Sequence, residues 1–297
     1  MHILITGGTG FIGSKLSNYL LNKGHIITIL SRNLAKRDLI DKSINIITNL
    51  SAITHDVDVI INLAGQPLNS KRWNDKVKQD IYNSRINITQ SLINFIKDTP
   101  NKPKLLISGS AIGYYGSSND KVFVESSEPV ELGFNHQLCK DWEHTAMQAQ
   151  EYGVKVCLLR IGLVLGKGGG LIKEMLLPFK LGLGAQIGDG GQWMSWIHIE
   201  DMISAIDFII NNSNSEGVFN FTSPENVTNR EFTKKFAAAL KRPSFLKLPR
   251  FIVNIIFGEV GEELLLKGQR VVPQKLIEAG YQFKFAKLES ALKDIVN

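Results

Sequence analysis

The chain has 297 residues, 43% of them hydrophobic and 21% charged, a globular composition long enough for one large domain or two closely associated ones. Its net charge of +6 comes from lysines interleaved with Asp, Asn and Glu rather than from basic blocks, which argues against a nucleic-acid partner. No apolar run approaches the roughly 20 residues of a membrane span, no signal-peptide pattern precedes the first strand, and two cysteines make neither a disulfide framework nor a metal site.

Taken in chain order, "HILIT" reads as a strand and Phe11 to Lys23 as a helix. "IITIL", "INIIT" and "DVIINLAG" follow as the second, third and fourth strands. From Asn74 to Lys97, apolar residues at Val77, Ile81, Ile88, Leu92 and Ile96 keep close to helical spacing. "KLLISGS" is a fifth strand, Leu138 to Gln150 a helix, and "VKVCLLRIG" a sixth strand. Apolar strands alternating with helices imply an α/β fold, a Rossmann-type doubly wound parallel sheet covered on both faces. After Gly166 the texture turns glycine-rich around a helical patch, Leu171 to Leu181, and "GVFNF" reads as another strand. Thr228 and Glu231 are spaced as a capping box. The expected division is a Rossmann domain over 1–166 plus about 196–222, and a smaller substrate lobe over 167–195 and 223–297. Within that lobe, 249–297 forms a C-terminal helical module.

"ITGGTGFIG" places Gly7, Gly10 and Gly13 between the first strand and first helix. Dinucleotide binding requires such a layout: a tight turn, close backbone approach to a pyrophosphate, and close packing of helix on strand. The helix N-terminus then offers free N–H groups to the phosphates. Thr6, Phe11 and Ile12 flank the loop and are expected to share in the site. After the second strand come Ser31, Arg32 and Asn33, with Arg37 shortly beyond and no Asp or Glu among them. A guanidinium suits an adenosine 2′-phosphate, so NADP is the expected cofactor.

The strings "TGGTGFIG", "NLAG" and "SGSAIGYYG" resemble the extended short-chain dehydrogenase/reductase superfamily. More narrowly, "RW" (Arg72, Trp73), "SR" (Ser84, Arg85), "CKDWE", "GGGLIKEMLLPFKLGLG", "SWIHIED", "FNFTSPENVTNREF" and "GEELLLKGQRVVPQKLIEAGYQFKF" resemble its atypical "epimerase family protein" group, NAD-dependent epimerase/dehydratase-like chains with a small C-terminal module. The resemblance implies a Rossmann-type fold, NADP binding and two lobes, and it supplies no reaction. It also implies that Leu63, Ala64 and Gly65 lie against the adenosine half of the cofactor, that Ser110 is the catalytic Ser/Thr, and that Tyr115 lies near the pocket. Tyr114, Gln192 and Trp193 are candidates for the substrate pocket. Related sugar-nucleotide enzymes carry an arginine where Met194 stands, which points away from a diphosphate substrate.

The superfamily's proton-exchanging pair, Tyr-x-x-x-Lys, is missing. Aligned on Glu143, Asn135 stands in place of the tyrosine and Cys139 in place of the lysine. Asparagine is no acid, and a thiol is no fixed cation. Tyr114 and Tyr115 remain as possible acids, and His136 is adjacent to Asn135. Two readings stay open. One is an NADP-dependent oxidoreductase, epimerase or dehydratase acting on a small molecule. The other is a non-catalytic NADP-binding sensor whose partner distinguishes cofactor-bound from free forms. In either case the chain reads as cytoplasmic, with no membrane or nucleic-acid partner.

Overall fold

The computed structural model describes residues 1–32, 40–69 and 71–297. Seven strands, β1 (His2–Thr6), β2 (Ile26–Leu30), β3 (Asn45–Ile47), β4 (Val59–Asn62), β5 (Leu105–Ala111), β6 (Lys155–Ile161) and β7 (Gly217–Phe221), form one sheet. Their order is β7-β6-β5-β4-β1-β2-β3, and every neighbouring pair is parallel. This is the doubly wound Rossmann-type fold expected from the sequence. The winding reverses between β1 and β4, which opens a crevice at the C-terminal ends of those strands.

Alternation along β1 shows why both faces need cover. Ile3 and Ile5 join a core with Leu16 and Leu20 of α1 (Phe11–Asn22) and Met202 and Ile206 of α5 (Ile199–Asn211). Leu4 points the other way, into a core with Leu92 and Ile96 of α2 (Asp75–Asp98) and Ala146 of α3 (Phe134–Met147).

The chain leaves this layer after Leu163–Leu165 and returns at Trp196–His198, which pairs with it in parallel. The excursion includes α4 (Gly170–Lys180). Together with α6 (Asn229–Ala239) and α8 (Leu288–Val296) it encloses a separate core of Phe179, Phe232, Phe236, Leu288 and Leu292. Between them lies α7 (Arg250–Phe257), in the C-terminal segment. The tail is strapped to the sheet layer by Asp201, whose carboxylate accepts from the Lys284 and Phe285 amides at 2.7 and 2.9 Å. The capping box forms: Thr228 Oγ1 accepts from the Glu231 amide, and Glu231 accepts from the Thr228 amide at 2.8 Å.

One element departs from expectation in a way that matters. α3 begins at Phe134 rather than Leu138, with Gly133 as its N-cap. Asn135 and His136 therefore sit on its first turn and have fixed directions. The sequence signal is weak there because Phe, Asn and His are mediocre helix formers, and tertiary contacts decide the start.

Candidate functional site

The turn between β1 and α1 is built so that only glycine fits at two positions. Gly7 has φ +69°, and a Cβ on it would come within 2.6 Å of the Leu63 carbonyl. A Cβ on Gly13 would lie 2.2 Å from the Gly7 carbonyl oxygen. Gly10 caps α1 without a side chain, and the first turn, which includes Phe11 and Ile12, carries no acidic residue. The helix N-terminus thus faces the crevice with its partial positive charge unopposed, as a pyrophosphate group requires.

Behind the turn runs a buried polar row set by strand register. Thr6, Asn62 and Ser108 are aligned across β1, β4 and β5. Thr6 Oγ1 donates to Asn62 Oδ1 at 2.6 Å, and Asn62 Nδ2 donates to Thr89 Oγ1 at 2.8 Å. Trp142 Nε1 also donates to Thr89, at 3.0 Å. Thr6 is buried in this row, so it supports the loop from behind.

At the end of β2 the Ser31 amide donates to the Ile47 carbonyl at 2.9 Å, and Arg32 is exposed. Asn33 and Arg37 lie outside the described residues. After β4, Leu63 donates its amide to the Thr6 carbonyl, followed by Ala64 and Gly65. Residues on α2 hold this turn. Ser84 Oγ accepts from the Gln66 amide at 3.0 Å, and Arg85 Nη2 donates to the Gln66 carbonyl at 3.1 Å. The Arg85 guanidinium lies against Gly65, where an added Cβ would approach it to 2.9 Å. It is also an electrostatic neighbour of the Cys139 thiol.

The two candidate catalytic hydroxyls are committed elsewhere. Ser110 Oγ donates to Glu143 Oε1 at 2.6 Å, and Arg160 grips the same carboxylate through Nε and Nη2, both at 2.8 Å. The pair is buried, and it raises the Arg160 pKa despite the opposing cost of burial. Ser110 is thus a brace between β5 and α3, not a free donor for a reacting oxygen. Tyr115 is fully buried and donates to Asn220 Oδ1 at 2.7 Å, and burial pushes its phenol up to about 12. That hydroxyl faces the protein interior. Tyr114 is half-buried, with the Arg160 guanidinium 3.4 Å over its ring.

Cys139 is buried, and desolvation followed by the nearby Glu143 carboxylate pushes its thiol up to about 11. It is neutral and cannot do the work of a lysine. Asn135 donates weakly to Glu263 at 3.4 Å, while its Oδ1 is buried without a partner. Beside it, His136 Nδ1 meets the Tyr114 carbonyl at 2.6 Å. A carbonyl only accepts, so Nδ1 bears the proton, and in the neutral ring the lone pair sits on Nε2.

Asn135 and His136 line a polar pocket. Its far wall comes from the C-terminal segment, with Glu263 on a single π-helical turn (Glu262–Leu266) and Lys267 just beyond. Lys267 Nζ bridges Glu131 and Glu263 at 2.5 and 2.8 Å. Burial alone would lower its pKa; the hydrogen bonds to the two carboxylates outweigh that and raise it. No local sequence pattern announces this wall, because Lys267 and Glu131 are 136 positions apart.

Gln192 and Trp193 do not open onto this pocket. Gln192 Nε2 donates to the Ile187 and Leu265 carbonyls at 3.2 and 2.7 Å. Trp193 Nε1 donates to the Asn119 carbonyl at 2.7 Å, with the Arg270 guanidinium over its ring. Both clasp the glycine-rich loop to its surroundings.

Residues 3–221 match the NAD dependent epimerase/dehydratase family, and residues 248–295 match a domain of unknown function, DUF1731. Epimerase family protein YfhF of Bacillus subtilis is 38% identical, covering 100% of this chain and 98% of the relative. The chloroplastic epimerase family protein SDR39U1 homolog of Arabidopsis thaliana is 36% identical, covering 100% of this chain and 87% of the relative. The crystal structure of human epimerase family protein SDR39U1 (isoform 2) with NADPH superposes with a TM-score of 0.92 at 35% identity, covering 99% of each chain. With the crevice, the glycine turn and end-to-end similarity in agreement, this chain belongs to the NAD dependent epimerase/dehydratase family.

Proposed function

We propose that this chain is an NADP-binding enzyme of the oxidoreductase or epimerase type, acting on a small molecule, in which His136 takes over proton exchange from the absent tyrosine. The observation that carries this reading is His136 itself: one ring nitrogen is fixed by a backbone carbonyl, and the buried residue borders the pocket from the first turn of α3. Such a tautomer-locked imidazole suits general acid–base work.

The phosphate-binding turn and the unopposed N-terminus of α1 fit a dinucleotide. Exposed Arg32 favours a 2′-phosphate, and the NADPH of the human relative's structure points the same way. A bound nicotinamide supplies or accepts a hydride; the protein's share is orientation and proton handling. Arg85 offers a cation beside Cys139, where the lysine is lacking. Asn135 Oδ1 offers an unspent acceptor, and Lys267, held between Glu131 and Glu263, closes the opposite wall. The second lobe thereby supplies one wall of the pocket that His136 lines. The two unpaired cysteines fit a cytoplasmic setting.

The test is a panel of carbonyl compounds offered with NADPH to the wild type and to His136→Gln. The expected result is cofactor turnover by the wild type and a fall in kcat of about 10²–10⁴-fold in the variant, with NADPH affinity unchanged. Wild-type turnover in His136→Gln would remove that residue from the mechanism. Tight NADPH binding without turnover of any compound would favour the second reading, a non-catalytic sensor, for which the neutral Cys139 and the amide at Asn135 speak.

A further inference from the structure

Nine of the fifteen large apolar side chains exposed among the described residues come from two short segments, 177–183 and 245–257. Leu177 and Phe245 are 65% and 76% exposed, and Leu181 and Leu183 accompany them. The segments are neighbours. Arg242 Nε donates to the Lys180 carbonyl at 2.7 Å, and Ala185–Ile187 pairs in parallel with Leu246–Leu248. The second of these strands leads straight into α7, which is inside out for a helix of a folded domain. Val253 is its one buried residue, whereas Phe251 and Ile255 are 63% and 66% exposed. Apolar exposure concentrated in this way marks an interaction surface.

The surrounding charge identifies what covers it. Residues 241–258 include Lys241, Arg242, Lys247 and Arg250, and no Asp or Glu. Lys180 adds to the same collar, and Lys180, Lys241 and Lys247 are exposed. Arg250 is paired with Glu262. A self-complementary contact with a second copy would set this basic collar against itself. A surface that is anionic outside and apolar beneath satisfies both features, with the apolar side chains entering the headgroup boundary. No helix among the described residues is long and apolar enough to cross a membrane, so the contact is peripheral.

We propose that α7 and the adjoining 177–183 and 245–247 edge dock the second lobe on an anionic lipid bilayer. This departs from the expectation, drawn from composition, of no membrane partner. The test is co-sedimentation of the full chain with vesicles of phosphatidylglycerol and phosphatidylcholine, against vesicles of phosphatidylcholine alone. The expected result is binding about tenfold or more tighter to the anionic vesicles, weakened by salt. Two variants, Phe251→Ser with Ile255→Ser, and Lys241→Glu with Lys247→Glu, each reduce binding about tenfold or more while melting as the wild type does. These positions are exposed, so the fold does not depend on them. Equal binding to both vesicle types, binding to neither, or a concentration-dependent dimer that the serine variant dissolves would overturn the proposal.

Discussion

Cys139 stands where a lysine is expected, and burial decides what it does there. Its thiol is held neutral by desolvation, which predicts slow alkylation by iodoacetamide in the native protein and rapid reaction once denaturant is added. Native-state labelling as fast as that of the unfolded chain would contradict this. Glu143 and Arg160 show the opposite case, a buried charge pair with its hydrogen bonds made. Replacing Glu143 by Gln leaves Arg160 without its counter-charge, and denaturant melts are expected to show a loss of about 3–5 kcal/mol. The loss of the Tyr-x-x-x-Lys pair was legible in single residues, and so was Arg32. The cations that the fold brings to this neighbourhood were not. Arg85 reaches the site through the Gln66 carbonyl, and Lys267 through the fold of the C-terminal segment. No local pattern announces either contact.

At the scale of elements, the glycine turn and the capping box were read correctly because both are local: the demand and the residues that meet it lie within a few positions of each other. Gly13→Ala is expected to abolish NADPH binding and destabilise the fold by about 1–3 kcal/mol, because its Cβ meets the Gly7 carbonyl at 2.2 Å. Thr228→Ala, by contrast, removes one cap and is expected to cost about 1 kcal/mol without touching cofactor affinity. Chemical denaturation and titration on the two variants check both outcomes. α3 starts four residues before its periodicity implies, since its first turn is fixed by contacts such as His136 with Tyr114 rather than by propensity. That small shift is what turns Asn135 and His136 from loop residues into pocket walls.

For the whole molecule, apolar runs alternating with helices made a parallel, doubly wound sheet legible, while its strand order is fixed by long-range pairing. The second lobe was legible as a change of texture, but Gln192 and Trp193 were expected on its pocket wall where Glu263 and Lys267 stand, because its side chains act across long separations. Titration of the interior also acts at this scale. Burial raises the Cys139, Cys157 and Tyr115 groups to about 11, 12 and 12 from ordinary values of 9.0, 9.0 and 10.0. Each binds its proton more tightly folded than unfolded, so its contribution is fully present below pH 9 and is lost as pH rises to 12. Thermal melts are expected to be level up to that window and to fall across it; a melting temperature that holds through the window would contradict the burial of these groups. Whether the crevice binds a 2′-phosphorylated dinucleotide is decided by calorimetric titration of the cofactor-stripped protein with NADPH and NADH in parallel. Affinity for NADPH about tenfold or more above that for NADH, lost in Arg32→Ala, is the predicted result. Equal affinities, or no binding of either, would contradict it.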